Sequence, residues 1–549
     1  MPAIMPRVLA VSAQMPGLGP APTTLPWKFT RAGNGNRLTV LLDVSWATPR
    51  TWTLIPDDYL RWIRVNGAEV PLESVRPGGL EDYSRGFDYD FSPWLRPGEN
   101  RIEIGLDNRA GQGGLFLRPR FGWRAVLVGV SFVPWLLLLG RWFGLDRRQL
   151  VACVGGLALL MVYWSHTPWT LRTHDVNQHL EYVEFLLSKH RIPPPFGGWS
   201  FFHPPLYYLG AALVVAASRA LLLLGYESLQ AYALVLWLVF LVASAGAIRV
   251  VLTGKQRLFA TLALVAWPSG IIHGLRIGND SMLYACSGVA TFFLVAWWHD
   301  DRRGQLWWAA FFAGLGMLAK TNSMILVVAL GLLFVQRNFA QARWRQGRTW
   351  LEGGVAFVLV TAGVLGGLGN GIYWYWRGKI PNWLVANVGS LPEQLRVPVD
   401  VASFLPLDIP TFLTEPFQDR GRREGNFWNA MFRSSLSGEF NYPDPLPVLG
   451  YFWGACLLLL LVLLLRRAWG LVRSPRLRFR HAPWLWLSAG WIVSLMVLRY
   501  KTPFSCSNDF RYVLPVLVPF VIACVRSGTL ARVVLLALVA GTVPFVLGL

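Results

Sequence analysis

From about residue 125 to the C-terminus, apolar runs long enough to cross a membrane recur between short polar breaks, and this pattern limits the possible folds more than any other feature. They lie at roughly 125–140, 149–166, 229–251, 257–275, 281–299, 305–320, 322–336, 351–372, 447–465, 482–499, 512–526 and 530–548. A helix rising 1.5 Å per residue needs about 20 such residues to span a hydrocarbon core of about 30 Å. In lipid only a structure that satisfies its own backbone polar groups can cross, so these runs predict helices. With 54% hydrophobic residues and 28 Trp in 549 residues, the chain has far more apolar surface than one soluble core needs.

The formal charge of +21 does not point to nucleic acid. Its arginines fall in short clusters between apolar runs, as topology determinants do. Those clusters also decide an ambiguous run at about 204–224. If that run does not cross, Arg141/Arg147/Arg148, Arg249/Lys255/Arg257, Arg302/Arg303, Arg337 to Arg348, Arg466 to Arg480 and Arg526/Arg532 all face the cytoplasm. The run is therefore read as a re-entrant or juxtamembrane helix, giving about 12 transmembrane helices besides it. The polar loops at 167–228, 276–280, 373–446 and 501–511 then share the outer face. The five cysteines have no CxxC spacing and lie almost all in apolar runs, which implies neither a disulfide framework nor a zinc site.

Residues 1–120 differ in character. NRLTVLLDVSW, TWTLIPDDYLRWIRVNGAEVPL and FDYDFSPWLRPGENRIEIGLDN are β-rich runs broken by Gly, Pro, Asn and Asp, which predicts a small β-sandwich. Hairpins are expected at Asn66-Gly67 and at Pro97 to Asn100. The pattern is similar to the jelly-roll, carbohydrate-binding-like modules appended to glycan enzymes. The topology puts this domain outside the cytoplasm, although residues 1–28 show no signal-peptide pattern and Arg118, Arg120 and Arg124 precede the first span.

Chemistry-bearing residues concentrate in the loop TPWTLRTHDVNQHLEYVEFLLSKHRIPPPFGGWSFFHPPLYY at 167–208. Asp175, His179 and Tyr182 are spaced to share one face of a helix, with Val176, Leu180, Val183 and Leu187 on another. Such an amphipathic helix would lie at the membrane surface and present one carboxylate there. The competing reading is a plain solvated face.

The ordered set HDVNQHLEY (174–182), FFHPPLYYLG (201–210), RIGNDSMLYA (276–285), GLGMLAKTNSM (314–324), FWNAMFRSSLSGEF (427–440) and NDFRYVLP (508–515) resembles the GT-C superfamily of polytopic glycosyltransferases. The likeness is to bacterial relatives of the protein O-mannosyltransferases (glycosyltransferase family 39-type) and of the lipid A aminoarabinose transferase. It covers about 149 to the end. It implies a GT-C domain over 121–549 that transfers a sugar, with inversion, from a polyprenyl-phosphate donor to a glycan, lipid or protein acceptor of the cell envelope, on the periplasmic side of a bacterial inner membrane.

One base and a set of cations for the leaving phosphate suffice for that reaction. The resemblance makes Asp175 the base, with Val176 standing where many relatives have Glu. Asp280 is the second acidic candidate, or else the N-cap of the next helix. His203, Lys320, Arg511 and Lys501 are candidates for the donor phosphate, although Lys501 also reads as a snorkelling end residue. His203 stands where the pattern has Lys, so its charge would titrate. His179, Tyr182, Tyr207 and Glu439 are candidate sugar or acceptor contacts.

Trp374, Tyr375, Trp383 and Trp428 suit either sugar stacking or an interfacial belt. Arg420, Arg422 and Arg423 beside Glu424 read as a solvated loop. No cofactor is implied: His174, His179 and His203 are too loosely spaced for a metal triad, and a divalent metal is disfavoured. A transporter or lipid-linked-glycan flippase ranks behind the transferase, because no internal repeat is seen and the polar residues cluster at one face. A non-catalytic glycan-binding membrane protein is a third reading.

Overall fold

The computed structural model describes residues 6–25, 27–29, 33–83, 86–109, 113–120, 124–173, 175–222, 226–300, 303–385, 387, 393–405, 407–417, 425–442 and 445–549. His174 and the segment holding Arg420, Arg422, Arg423 and Glu424 lie outside these. The chain forms two compact units: residues 1–130, 164–174 and 211–232, and residues 131–163, 175–210 and 233–549.

The first unit carries the expected β-sandwich. Strands β1 (Arg7–Gln14), β2 (Ala21–Pro22), β3 (Trp27–Phe29), β4 (Gly33–Val44), β5 (Thr51–Pro56), β6 (Tyr59–Val65), β7 (Ala68–Val70), β8 (Phe87–Asp90), β9 (Gly98–Asn108) and β10 (Gly113–Pro119) form two antiparallel sheets. One runs β2-β1-β4-β9-β6-β7, the other β3-β10-β5-β8. Alternation along β4 turns Leu38, Val40, Leu42 and Val44 inward, where they meet Ile102 and Ile104 of β9 and Trp52 and Leu54 of β5. Asn66 and Gly67 close the β6–β7 hairpin with φ of 54° and 84°, the positive pair that a two-residue type I′ turn demands.

The expectation at Pro97 to Asn100 is corrected. β8 belongs to one sheet and β9 to the other, so this stretch is a crossover rather than a hairpin. Buried Asn100 holds it, accepting from the Arg96 N–H at 2.9 Å and donating to the Arg96 and Gly98 carbonyls. Still within the first unit, Arg118 at the end of β10 donates to the Trp164 carbonyl (2.9 Å) and lies 3.8 Å from buried Glu227.

The remaining elements are helices: α1 (Arg124–Trp142), α2 (Arg147–His166), α3 (Val176–Lys189), α4 (Leu206–Ala220), α5 (Glu227–Val251), α6 (Gly254–Val265), α7 (Pro268–His273), α8 (Asp280–Asp300), α9 (Arg303–Ala319), α10 (Met324–Ala340), α11 (Gly347–Trp376), α12 (Val401–Phe404), α13 (Ile409–Thr414), α14 (Phe427–Ser437), α15 (Pro447–Arg473), α16 (Pro475–Arg480), α17 (Ala482–Lys501), α18 (Leu517–Arg526), α19 (Thr529–Ala540) and α20 (Thr542–Leu547). Among the described residues nine helical segments are long and apolar enough to cross a membrane, and three shorter apolar helices accompany them. This is a polytopic helical membrane architecture with an N-terminal sandwich.

One expected span differs in detail, and the ambiguous run agrees with its expected length. The run at 257–275 breaks after Val265, because Pro268 has no N–H to continue the helix and instead starts α7 at its first turn. α4 has 15 residues, ~22 Å of rise, short of the ~30 Å core and in keeping with the re-entrant expectation. Several arginine-bearing loops meet at one end of the second unit. Arg257 pairs with Asp146 at 3.0 Å, Arg526 donates to the Val251 carbonyl, and Arg467 donates to the Arg526 carbonyl.

Candidate functional site

At the other helix ends of this unit the charged residues singled out in the sequence converge. Lys320 follows α9 and donates to the carboxylate of Asp280, the first residue of α8. Asp280 is therefore no side-chain N-cap; its partner is a cation from the neighbouring helix end. The Lys320 ammonium also lies 4.7 Å from the centre of the Tyr512 ring. Both charges are largely buried, which is costly unless they are paired in this way.

Arg511 stands beside them. Its Nε is 3.0 Å from Asp509, its Nη1 is 3.8 Å from Glu439, and its Nη2 donates to the Tyr512 hydroxyl at 2.9 Å. The Arg511 carbonyl accepts from the Tyr284 hydroxyl, fixing the segment to α8. Arg511 and Glu439 are thus brought together, but Arg511 is already gripped by two acids. Arg276, in the turn between α7 and α8, also buries an N–H that has no hydrogen-bond partner among the described residues, as does the Arg511 Nε despite its ion pair with Asp509. Both ring nitrogens of buried His273 also lack one. Arg276 and His273, with His179, Asp280, Tyr284 and Arg511, line a cavity of about 10 Å³, room for roughly one water.

α3 supplies the other wall. Asp175 is not inside the helix but is its N-cap, in the left-handed conformation at φ 57°. Its carbonyl accepts from the His179 N–H, while its exposed carboxylate makes no hydrogen bond or ion pair among the described residues. The expected shared polar face is corrected: Asp175 is exposed whereas His179 and Tyr182 are buried, because the first turn leans on other elements. His179 Nδ1 is 2.7 Å from the Tyr208 hydroxyl, and its Nε2 faces Gly278, where a Cβ would come within 3.2 Å. Tyr182 stacks on Tyr208 with ring centres 3.8 Å apart, and the Tyr207 hydroxyl accepts from the Gly278 N–H at 3.0 Å.

Burial pushes the His179 imidazole down to about 3. Burial and the Lys320 ammonium drive His203 well below the usual histidine range. This favours the neutral imidazole at His203. Lys501 is exposed at the end of α17, beside the Tyr500 ring, and does not join the cluster. Trp374 is half-buried, Tyr375 and Trp383 are exposed, and half-buried Trp428 donates to the Phe404 carbonyl. Among the described residues no three His, Cys, Asp or Glu side chains gather to hold a metal ion.

The cluster adjoins an open apolar groove of about 760 Å³ between α10 and α17, lined by Thr321, Asn322, Trp383, Trp486, Lys501 and Tyr512 among others. Tyr512 belongs to both: one ring carries Lys320 over its face and forms part of the groove wall.

Sequence reasoning passed over His273, Arg276, Tyr208, Asp509 and Tyr512. The signal for Arg276 and Asp509 was a charge against an apolar run, the same signal that marked Lys320. Tyr208 and Tyr512 carried none, since an aromatic at a helix end is ordinary in a membrane protein.

No family model matches the chain, and no curated protein does. Solved structures similar to it include ArnT from Cupriavidus metallidurans bound to undecaprenyl phosphate, at 16% identity and a TM-score of 0.33 over 71% of this chain and 77% of that one. The apo state of the same protein aligns at 17% identity and a TM-score of 0.31, over 64% and 71%. The arabinosyltransferase EmbB from Mycobacterium smegmatis aligns at 12% and 0.37, over 96% of this chain and 51% of that one. With TM-scores this low, the functional reading rests on this chain's own residues.

Proposed function

We propose that the chain is a GT-C glycosyltransferase that moves a sugar from a polyprenyl-phosphate donor to a cell-envelope acceptor at the periplasmic face of a bacterial inner membrane. The observation that carries this reading is the shared Tyr512 wall: a cation held in place by Asp280 stands at the head of a long apolar groove. A lipid with a phosphate at one end fits that pairing of an apolar channel and a fixed positive charge.

In the proposed reaction the acceptor hydroxyl oxygen attacks the sugar C1 from the face opposite the phosphate. The new C1–O bond forms as the C1–O bond to phosphate breaks, its electron pair leaving with the polyprenyl phosphate. The hydroxyl proton goes to Asp175, whose exposed and unpaired carboxylate suits a base. Lys320 and Arg276 balance the charge on the departing phosphate, and Arg511 is pre-oriented for the same purpose by Asp509 and Glu439. Neutral His179 and His203, with Tyr182, Tyr207 and Tyr208, supply hydrogen-bonding and stacking surface for sugar or acceptor.

The test is glycan mass profiling of envelope fractions from cells with wild type, a deletion or Asp175→Asn at matched expression. Loss of the same sugar mass in the deletion and the Asn variant is expected, and that mass names the sugar and acceptor. An Asn variant indistinguishable from wild type, with a changed deletion profile, removes Asp175 as base and puts the flippase or glycan-binding reading ahead of the transferase.

A further inference from the structure

A second cleft lies away from this chemistry. It occupies about 430 Å³, in the range of ligand pockets at ~300–1,000 Å³, between α14, α15, α17 and α18. Its walls are apolar over most of their length, with Leu457, Leu461 and Leu464 of α15 facing Ser488 and Ile492 of α17. One end is different in kind: Arg467, His481 and Arg526 line it together. Arg511 and Arg526 lie at opposite ends of the Ser505–Arg526 segment, ~25 Å apart by helix rise, so this end is remote from the Lys320 cluster.

Three observations point to an occupant with an apolar body and an anionic head. No lining residue is acidic, and no carboxylate pairs with Arg467 or Arg526 among the described residues, so two guanidiniums stand at the mouth of an apolar cleft without a counter-charge. The Trp484 indole N–H, in the cleft wall at 6% exposure, is a buried donor with no hydrogen-bond partner among the described residues. His481 adds no charge of its own: burial and the adjacent Arg526 and Arg467 push it down to about 4, so it accepts from Arg526 at 2.8 Å and helps hold that guanidinium in place. The cleft is also open along its side, since Leu485 of α17 is exposed and Leu461 and Leu464 of α15 are half-buried, so a chain can enter from the bilayer.

We propose that this cleft holds one anionic membrane phospholipid, an acyl chain lying between α15 and α17 and its phosphate against Arg467 and Arg526. Charge complementarity selects the headgroup: an arginine at this depth is stabilised by an anion it can hydrogen-bond, and anionic lipid supplies that anion at a membrane face.

The full-length protein is purified in detergent, given phosphatidylglycerol or phosphatidylcholine, and read by native mass spectrometry. Wild type is expected to retain one phosphatidylglycerol per chain in preference to phosphatidylcholine. Arg467→Gln lowers that retention roughly tenfold, the loss of one charge-assisted contact, and Ser488→Phe, which fills the cleft from α17, lowers it at least as far by excluding the acyl chain. Equal retention in all three proteins, or no preference between the lipids, overturns the proposal. So does displacement by undecaprenyl phosphate, which would make the cleft a carrier site, or a dimer that Ser488→Phe dissociates, which would make it a contact between copies. Should a variant not fold, wild type is cross-linked with diazirine-tailed phosphatidylglycerol. Labelled peptides from α15 and α17 support the site, and label confined elsewhere removes it.

Discussion

At the scale of single residues the Lys320–Asp280 pair sets the terms of the candidate site. Lys320→Met leaves a largely buried carboxylate without its cation and is expected to cost about 3–5 kcal/mol of stability, read as a lowered unfolding temperature in detergent. Adding Asp280→Asn removes the orphan charge, so the double variant recovers most of that stability. Sugar transfer is expected to stay absent in both, because the cation at the head of the groove is gone. Transfer restored in the double variant would make the pair a structural strut. These two residues were legible in the sequence for a physical reason: a charge inside an apolar stretch must be paired or used. What could not be read was the pairing itself. The IGND motif offered Asp280 as a cap, and only the approach of α9's end to α8's start decides between a cap and an ion pair. Asp175 is the converse case. Its spacing to His179 put it on a helix, and the left-handed backbone at φ 57° takes it just outside, where its carboxylate stays free.

At the scale of elements, the apolar runs became helices nearly where their hydrophobic limits set them, because lipid leaves the backbone no other choice. The departures come from residues with their own local rules. Pro268 divided one run, and the Pro97 to Asn100 stretch, with the turn chemistry of a hairpin, serves instead as a crossover because its flanking strands bury their faces in different sheets. Helix pairing was not legible at all. α9 and α11 meet where Gly314 and Gly363 bring their backbones together: a Cβ on Gly363 would lie 2.3 Å from the Gly314 Cα. Small residues allow this approach, and the contact carries the association of helices that lipid does not drive together. Gly363→Leu is expected to cost several kcal/mol, beyond the ~1–3 of ordinary overpacking because backbone must move, and to reduce the yield of monodisperse protein. Gly369→Leu on the same helix, with nothing within 4 Å of its Cβ position, should behave as wild type. Equal yields from the two would show that the crossing can relax.

At the scale of the whole molecule, sidedness rests on counting crossings against arginine clusters, an inference that needs no side-chain contact. If α4 does not cross while α1, α6–α7 and α9 do, every cluster from Arg141 to Arg532 falls on one side. The loops at 276–280, 373–446 and 501–511 then fall on the other. Contacts within the second unit agree in grouping: Arg257, Arg467 and Arg526 meet at one set of helix ends, and Asp280, Lys320 and Arg511 at the opposite set. If α1 and α2 both cross, two crossings separate the β-sandwich from the 167–228 loop, and parity predicts the sandwich on the same side as that loop. Single cysteines test this in a chain where half-buried Cys456 and Cys506 are replaced by Ser. A membrane-impermeant maleimide added to intact cells stripped of their outer barrier is expected to label Trp46→Cys, on a sandwich residue 86% exposed, and Lys379→Cys beyond α11. Arg345→Cys and Arg478→Cys, at exposed positions in the arginine-bearing loops, should label only after permeabilisation. Labelling of Trp46→Cys together with Arg345→Cys would mean that α1 and α2 do not both cross, or that α4 does, and the sandwich would then lie across the membrane from the chemistry it is proposed to accompany.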